Sequence, residues 1–238
     1  MQNTTASVRS RIRLVGISSM ATRSLLADIA ELHRQYSDVD VQFESVGGVE
    51  AARRVQAGEA FDLVALASPA IDELIESGHI VADSKTDFVV SSVAVAVRSG
   101  SARPAVDDEN AVRDAVLAAR RIGYSTGPSG TALIALLTRW NVIDAVRERL
   151  VQAKPGLPVG RLIADGVVDL GFQQLSELID LTSVDVLGTM PASCGMTTVF
   201  SAGLGVSSSY PSQARDLLNS LRFPQWDELK RRHGMAPA

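Results

Sequence analysis

Three times in the first eighty residues an apolar run stops at a small polar or glycine junction and turns at once into a helical pattern. The first copy is Arg13 to Tyr36, "RLVGISSMATRSLLADIAELHRQY". Here "RIRLVGI" reads as a buried strand, and Leu25, Leu26, Ile29, Ala30 and Leu32 recur at helical spacing. The second runs from "VDVQFES", which alternates Val39, Val41 and Phe43 with polar neighbours, into "VGGVEAARRVQAGEA", where Gly58 ends a short helix. The third runs from the continuously apolar "FDLVALA" into "SPAIDELIESGHI". Ser68 is placed there to cap, Pro69 stands at the first helical position and Gly78 follows the end. Strands alternating with helices in this way build a largely parallel sheet covered on both faces, an α/β fold.

The junctions of such a sheet lie together at the carboxyl edge of the strands, where ligands bind. They are Ser18 and Ser19, Ser45 through Gly47 and Gly48, and Ala67 with Ser68. Each helix start offers unpaired N–H groups and a partial positive charge, which favour an anion without a counter-charged side chain. A serine there also serves as an ordinary N-cap. Ser18 or Ser19 is a stronger ligand candidate than Ser68.

The long run from Phe88 to Val97 reads as a crossing between two lobes, and the alternation restarts beyond it. Lobe 1 is expected to comprise residues 1–90 and 190–238 and lobe 2 residues 91–189, with crossings near 88–97 and 185–195. Helices are expected over "AVRDAVLAARR", "TALIALLTRWNV" and "DAVRERL". In "YSTGPSGTAL", Thr126, Ser129 and Gly130 stand where a strand gives way to a helix, and hydroxyls with backbone N–H groups again suit an anion. The lysine and spacing of a nucleotide-binding P-loop are absent. "DLGFQQLSEL" leaves a strand at Gly171 and presents Gln173 and Gln174, whose amides can donate to carboxylate oxygens.

Composition removes several function classes. The 238 residues are 46% hydrophobic and 21% charged with net charge −4, an ordinary globular balance, and 5% aromatics without a basic stripe give no footprint for nucleic acid. No window resembles a membrane span. A single cysteine, Cys194, excludes a disulfide framework, and three dispersed histidines do not make a metal cluster. No metal or cofactor is expected. The start "MQNTTASVRSRIRL" has no secretory h-region, so the expected location is cytoplasmic as written, or periplasmic if a leader was trimmed.

Taken in order, "VGISSMATRSLLADIAELH", "VEAARRVQAGEAFDLVALASPAIDELIESGHI", "YSTGPSGTAL", "VDLGFQQLSEL" and "VFSAGLG" resemble the molybdate-binding-protein-like branch of the type 2 periplasmic solute-binding proteins. The likeness spans nearly the whole chain. It implies two α/β lobes of mixed sheets flanked by helices, with a ligand cleft between them that closes by a hinge. It places ligand contacts at Ser18 or Ser19, Ser45 through Gly48, Ala67 and Ser68, Thr126, Ser129 and Gln173. True molybdate binders carry a tyrosine where this chain has "FQQ", and "GFQQLSEL" with "VFSAGLG" looks closer to a side branch that includes aconitate isomerase.

Two functions follow from the resemblance. One is an allylic isomerase of a di- or tricarboxylate such as aconitate. The other is a non-catalytic binding protein for molybdate-like oxyanions or carboxylates, whose partner is an ABC permease. The enzyme requires a base beside the cleft. Tyr124, Arg23 and Glu177 are the candidates, Arg23 because a cation in a first helical turn opposes the helix dipole.

Overall fold

The computed structural model describes residues 11–238, and the reading of the first ten residues lies outside that range. β1 (Ile12–Ser19), β2 (Val39–Val46) and β3 (Leu63–Ala67) run parallel with β1 in the middle, and each is followed by its helix: α1 (Arg23–Tyr36), α2 (Gly48–Gln56) and α3 (Ser68–Glu76). β3 is apolar throughout and β1 is apolar from Leu14 to Ile17, because both faces of the sheet are covered in this region. Leu14 and Leu63 face the core shared with α1, whereas Ile17, Val64 and Leu66 face the core shared with α2 and α3. Both short helices stop as expected, since Gly58 and Gly78 take φ of +85° and +76°, a region that a Cβ disfavours. Ser68 departs from expectation. Ala67 occupies the cap position, and Ser68 is the first helical residue without a capping bond.

The chain continues through β4 (Thr86–Arg98), α4 (Glu109–Ala118), β5 (Ile122–Tyr124), α5 (Pro128–Arg139), α6 (Ile143–Val146), β6 (Leu150–Gln152), α7 (Val159–Ala164), β7 (Leu170–Gln174) and β8 (Val184–Thr189). It then returns through β9 (Thr197–Leu204), α8 (Pro211–Ser220), α9 (Asp227–Arg232) and β10 (Met235–Pro237). β4 belongs to both sheets. Its residues 86–92 pair antiparallel with β9, which in turn pairs with β3, while residues 93–98 pair with β7 and β8. The passage from one sheet to the other falls at Ser92 and Val93. β7, β5 and β6 extend the second sheet in parallel.

Each sheet is covered on both faces. In the second lobe Val112, Val116, Leu133 and Leu137 of α4 and α5 pack on one face, and Val159 and Ile163 of α7 pack on the other. Met190, Cys194 and Met196 lie in the core with α4 and α5. This is the two-lobed α/β arrangement with mixed sheets and a cleft between lobes.

Two local expectations are corrected. The helix over "DAVRERL" ends at Val146, because the Arg149 guanidinium donates to the carbonyls of Leu117, Ala119 and Ala145 and Leu150–Gln152 pairs with β5 as an edge strand. β7 does not stop at Gly171; it continues through Gln174, so both glutamines are strand residues. No helix of the described residues is long and apolar enough to cross a membrane.

Candidate functional site

The carboxyl ends of β1, β2, β5, β6 and β7 face one another across the two lobes and enclose a cavity of about 70 Å³. At roughly 10–15 Å³ per water this takes a small polyatomic ligand. Its walls include Ser19, Gly47, Gly48, Thr126, Ser129, Gln173 and Glu177, all expected from sequence, together with Ser125, Lys154, Gln174 and Phe200. Toward α3 and the crossing strands it opens into a wider, more apolar groove, and Ala67 and Ser68 lie there instead of in the inner cavity.

Consecutive strand residues point to opposite faces, and this separates the first two serines. Ser18 is buried, with its Oγ 2.7 Å from Ser45 Oγ, and neither lines the cavity. Ser19 caps the 3-10 turn Met20–Thr22 by accepting from Ala21 N at 3.3 Å, which leaves its own O–H free to donate into the cleft. Beside it, α2 begins at Gly48 with Gly47 as its cap, and its first-turn N–H groups have no carbonyl behind them. On the second lobe Ser125 Oγ accepts from Gly127 N at 3.2 Å and pairs with Ser129 Oγ at 2.8 Å.

Ser19→Ala is expected to weaken anion binding by ~1–3 kcal/mol, the value of a bond to a charged group. Ser18→Ala leaves affinity unchanged and costs ~1 kcal/mol of stability, because Ser45 loses its partner. Calorimetry and thermal unfolding of the two variants separate the roles.

Besides Ser18 and Ser45, three more expected residues stay out of the cleft. Gly130 lies beneath the loop, where a Cβ would sit 1.9 Å from the Ser125 carbonyl oxygen. Tyr124 packs half-buried against the second-lobe core, and Arg23 is exposed at the start of α1. Neither Tyr124 nor Arg23 reaches the cavity. Gln173 lines it with both ends of its amide engaged: its Oε1 accepts from Gly160 N at 3.0 Å and its Nε2 donates one N–H to Glu177 Oε2 at 2.7 Å. A backbone N–H only donates, so the orientation of this amide is fixed.

Glu177 therefore presents a carboxyl at the cavity wall, held from behind by Gln173. Surrounding protein strips its hydration and pushes its pKa up to about 7, against the opposing effect of the Gln173 hydrogen bond. Lys154, just after β6, supplies the cationic side chain of the inner wall and makes no ion pair among the described residues. Sequence reasoning missed it. The signal was the fifth junction, "QAKPGLPVG", where a strand again meets Pro and Gly before a helix.

The raised carboxyl carries a stability signature. Between the ordinary value of 4.5 and about 7 the unfolded chain has lost a proton that the folded chain keeps. Stability is then highest below pH 4.5 as far as this group is concerned, and falls as pH rises through that window. The expected loss is ~1–3 kcal/mol, discounted because part of the side chain faces the open cleft. Glu177→Gln removes this component from the pH profile of denaturant unfolding.

Comparison with known proteins agrees with this geometry. Residues 14–236 match the family model described as bacterial extracellular solute-binding protein. An aconitate isomerase from Pseudomonas sp. is 30% identical over 213 residues, covering 87% of this chain and 81% of the relative. The molybdate-binding protein ModA of Azotobacter vinelandii is 25% identical over 179 residues, 69% of each chain. The solved periplasmic molybdate-binding protein of Azotobacter vinelandii superposes with a TM-score of 0.78 at 20% identity, covering 94% of this chain and 98% of that one. Helix-covered lobes sharing β4, a cleft at the strand ends and a family match over nearly the full length lead to one conclusion: the chain belongs to the bacterial extracellular solute-binding proteins, with the type 2 periplasmic-binding-protein fold.

Proposed function

We propose that the cleft binds a small di- or tricarboxylate and moves a proton along its allylic system, interconverting cis- and trans-aconitate or a close analogue. The observation that carries this reading is Glu177. A carboxyl in the wall of an anion pocket repels the ligand whenever it is ionised, so it is a liability in a plain receptor. With a pKa of about 7 it is suited to accept and return a proton near neutral pH. The 30% identity to an aconitate isomerase supports the same direction.

The step balances without a co-reactant. The Glu177 carboxylate takes a proton from the CH2 carbon, the electron pair delocalises across the allylic system, and the carboxylic acid returns a proton to the far carbon. The double bond moves by one position. Ser19, the first-turn N–H groups of α2 and Lys154 hold the carboxylates and stabilise the developing charge.

The second reading is a non-catalytic receptor feeding a permease, and the match to solute-binding proteins favours it. Incubation of purified protein with each aconitate isomer, analysed by chromatography, tests the first against the second. Calorimetry with molybdate runs alongside. Interconversion establishes the isomerase, whereas inert aconitate with tight molybdate binding establishes the receptor.

A further inference from the structure

The inner cavity is small for the ligands it is to hold. At about 70 Å³ it takes roughly five to seven waters, or about as many non-hydrogen atoms of a ligand, and a tricarboxylate has about twice that number. The remainder of such a ligand extends outward. Thr126, Gly127 and Pro128, where β5 gives way to α5, line both the inner cavity and the wide groove, which holds about 760 Å³. Apolar side chains dominate the groove. Val199 on β9 is 36% exposed and Val49 on α2 is 65% exposed, and Pro69, Ala70, Ala132 and Ala135 extend that surface along α3 and α5.

Charge separates the two compartments. The inner wall carries Lys154 and the first turn of α2. In the groove the charged lining residues are Glu73 and Asp87; among the described residues no Lys or Arg lines it, and neither acid forms an ion pair. Arg53, on the adjoining apolar shelf of α2, is held by Glu50 through bonds of 2.8 and 2.6 Å. A carboxylate pushed into the groove loses water, meets apolar carbon and faces two like charges. An alkyl arm gains there, because each methylene leaves water for an apolar wall. We propose that the groove seats an uncharged apolar arm of the ligand, so that the substrate class is a dicarboxylate bearing an alkyl or alkylidene substituent. The inference rests on the carboxylate reading of the inner cavity and narrows it. Two carboxylates with the carbons that join them fill the inner cavity to its mouth, and the substituent continues past Pro128. A tricarboxylate is accepted with its third carboxylate poorly placed.

Calorimetry with synthetic acids tests this. Isobutylsuccinate and tricarballylate share one skeleton and differ in a single arm, isobutyl in one and carboxymethyl in the other. Near neutral pH wild type is expected to hold the alkyl acid at least about tenfold more tightly. Affinity is also expected to rise about two- to fourfold per methylene from methylsuccinate to propylsuccinate. Val199→Lys sets a cation at the exposed lip of the groove. The preference then falls to within about threefold or reverses, while succinate affinity changes by less than about threefold. Tricarballylate bound by wild type as tightly as the alkyl acid, or more tightly, overturns the proposal. So does affinity that stays flat or falls as the arm lengthens, because the arm then lies in water or the lobes close over the groove. These wild-type comparisons need no variant and decide the matter if Val199→Lys fails to fold. Turnover of aconitate without a preference for the alkyl arm keeps the isomerase and sinks the groove; the preference with inert aconitate does the reverse.

Discussion

Replacing Glu177 by glutamine lowers kcat for aconitate interconversion by about a thousandfold, within the range that a positioned acid–base group contributes. The fold survives, because an amide keeps the size of the side chain and a hydrogen-bonding partner for Gln173. Binding changes in the opposite sense. Below the pKa of about 7 the wild-type carboxyl is neutral and both proteins hold the anion alike, whereas at pH 8 the ionised wild-type group repels it and the variant binds more tightly. A variant that loses turnover while gaining affinity at high pH identifies a proton carrier. Lost turnover with equally lost affinity at every pH marks Glu177 as a packing residue.

Gly130→Ala gives the second large effect, and its sign is diagnostic. In a helix interior the change adds about 0.5–1 kcal/mol of stability through propensity alone. Here the new Cβ meets the Ser125 carbonyl oxygen at 1.9 Å and its carbon at 2.8 Å, so backbone must move. We expect a net loss of ~3 kcal/mol or more, about 6–12 °C in Tm for a chain of this size. Anion binding falls with it, because Ser125 and Ser129 are carried by the displaced loop. A variant as stable as wild type with unchanged affinity would show that the loop gives way freely and is not a fixed part of the site.

The strand–helix junctions were legible because period 2 and period 3.6 each leave a strong trace, and four of the five strand ends that build the cavity follow from it. What the sequence could not resolve was register. Ser18 and Ser19 are adjacent in "GISSM", and only the parallel pairing of Ser18 with Ser45 shows which hydroxyl turns inward. Gln173 looked like a free amide because its partner, Gly160 N, lies in a helix thirteen residues away. Glu177 stood four residues beyond it in plain view, yet its raised pKa comes from burial that only the folded chain supplies. Lys154 sits after a three-residue edge strand too short to leave a periodic signal, so the junction that carries it went unread. Arg23 and Tyr124 were near the right loops in sequence but on outward or core-facing positions in space.

The central claim is that the Glu177 carboxyl exchanges a proton with the bound acid, and the most direct measurement is proton NMR of cis- and trans-aconitate incubated with the protein in deuterated water. Deuterium is expected to enter the allylic carbon as the isomers interconvert, and Glu177→Gln to stop both together. Aconitate that binds yet keeps its hydrogens and its geometry in wild type would contradict it.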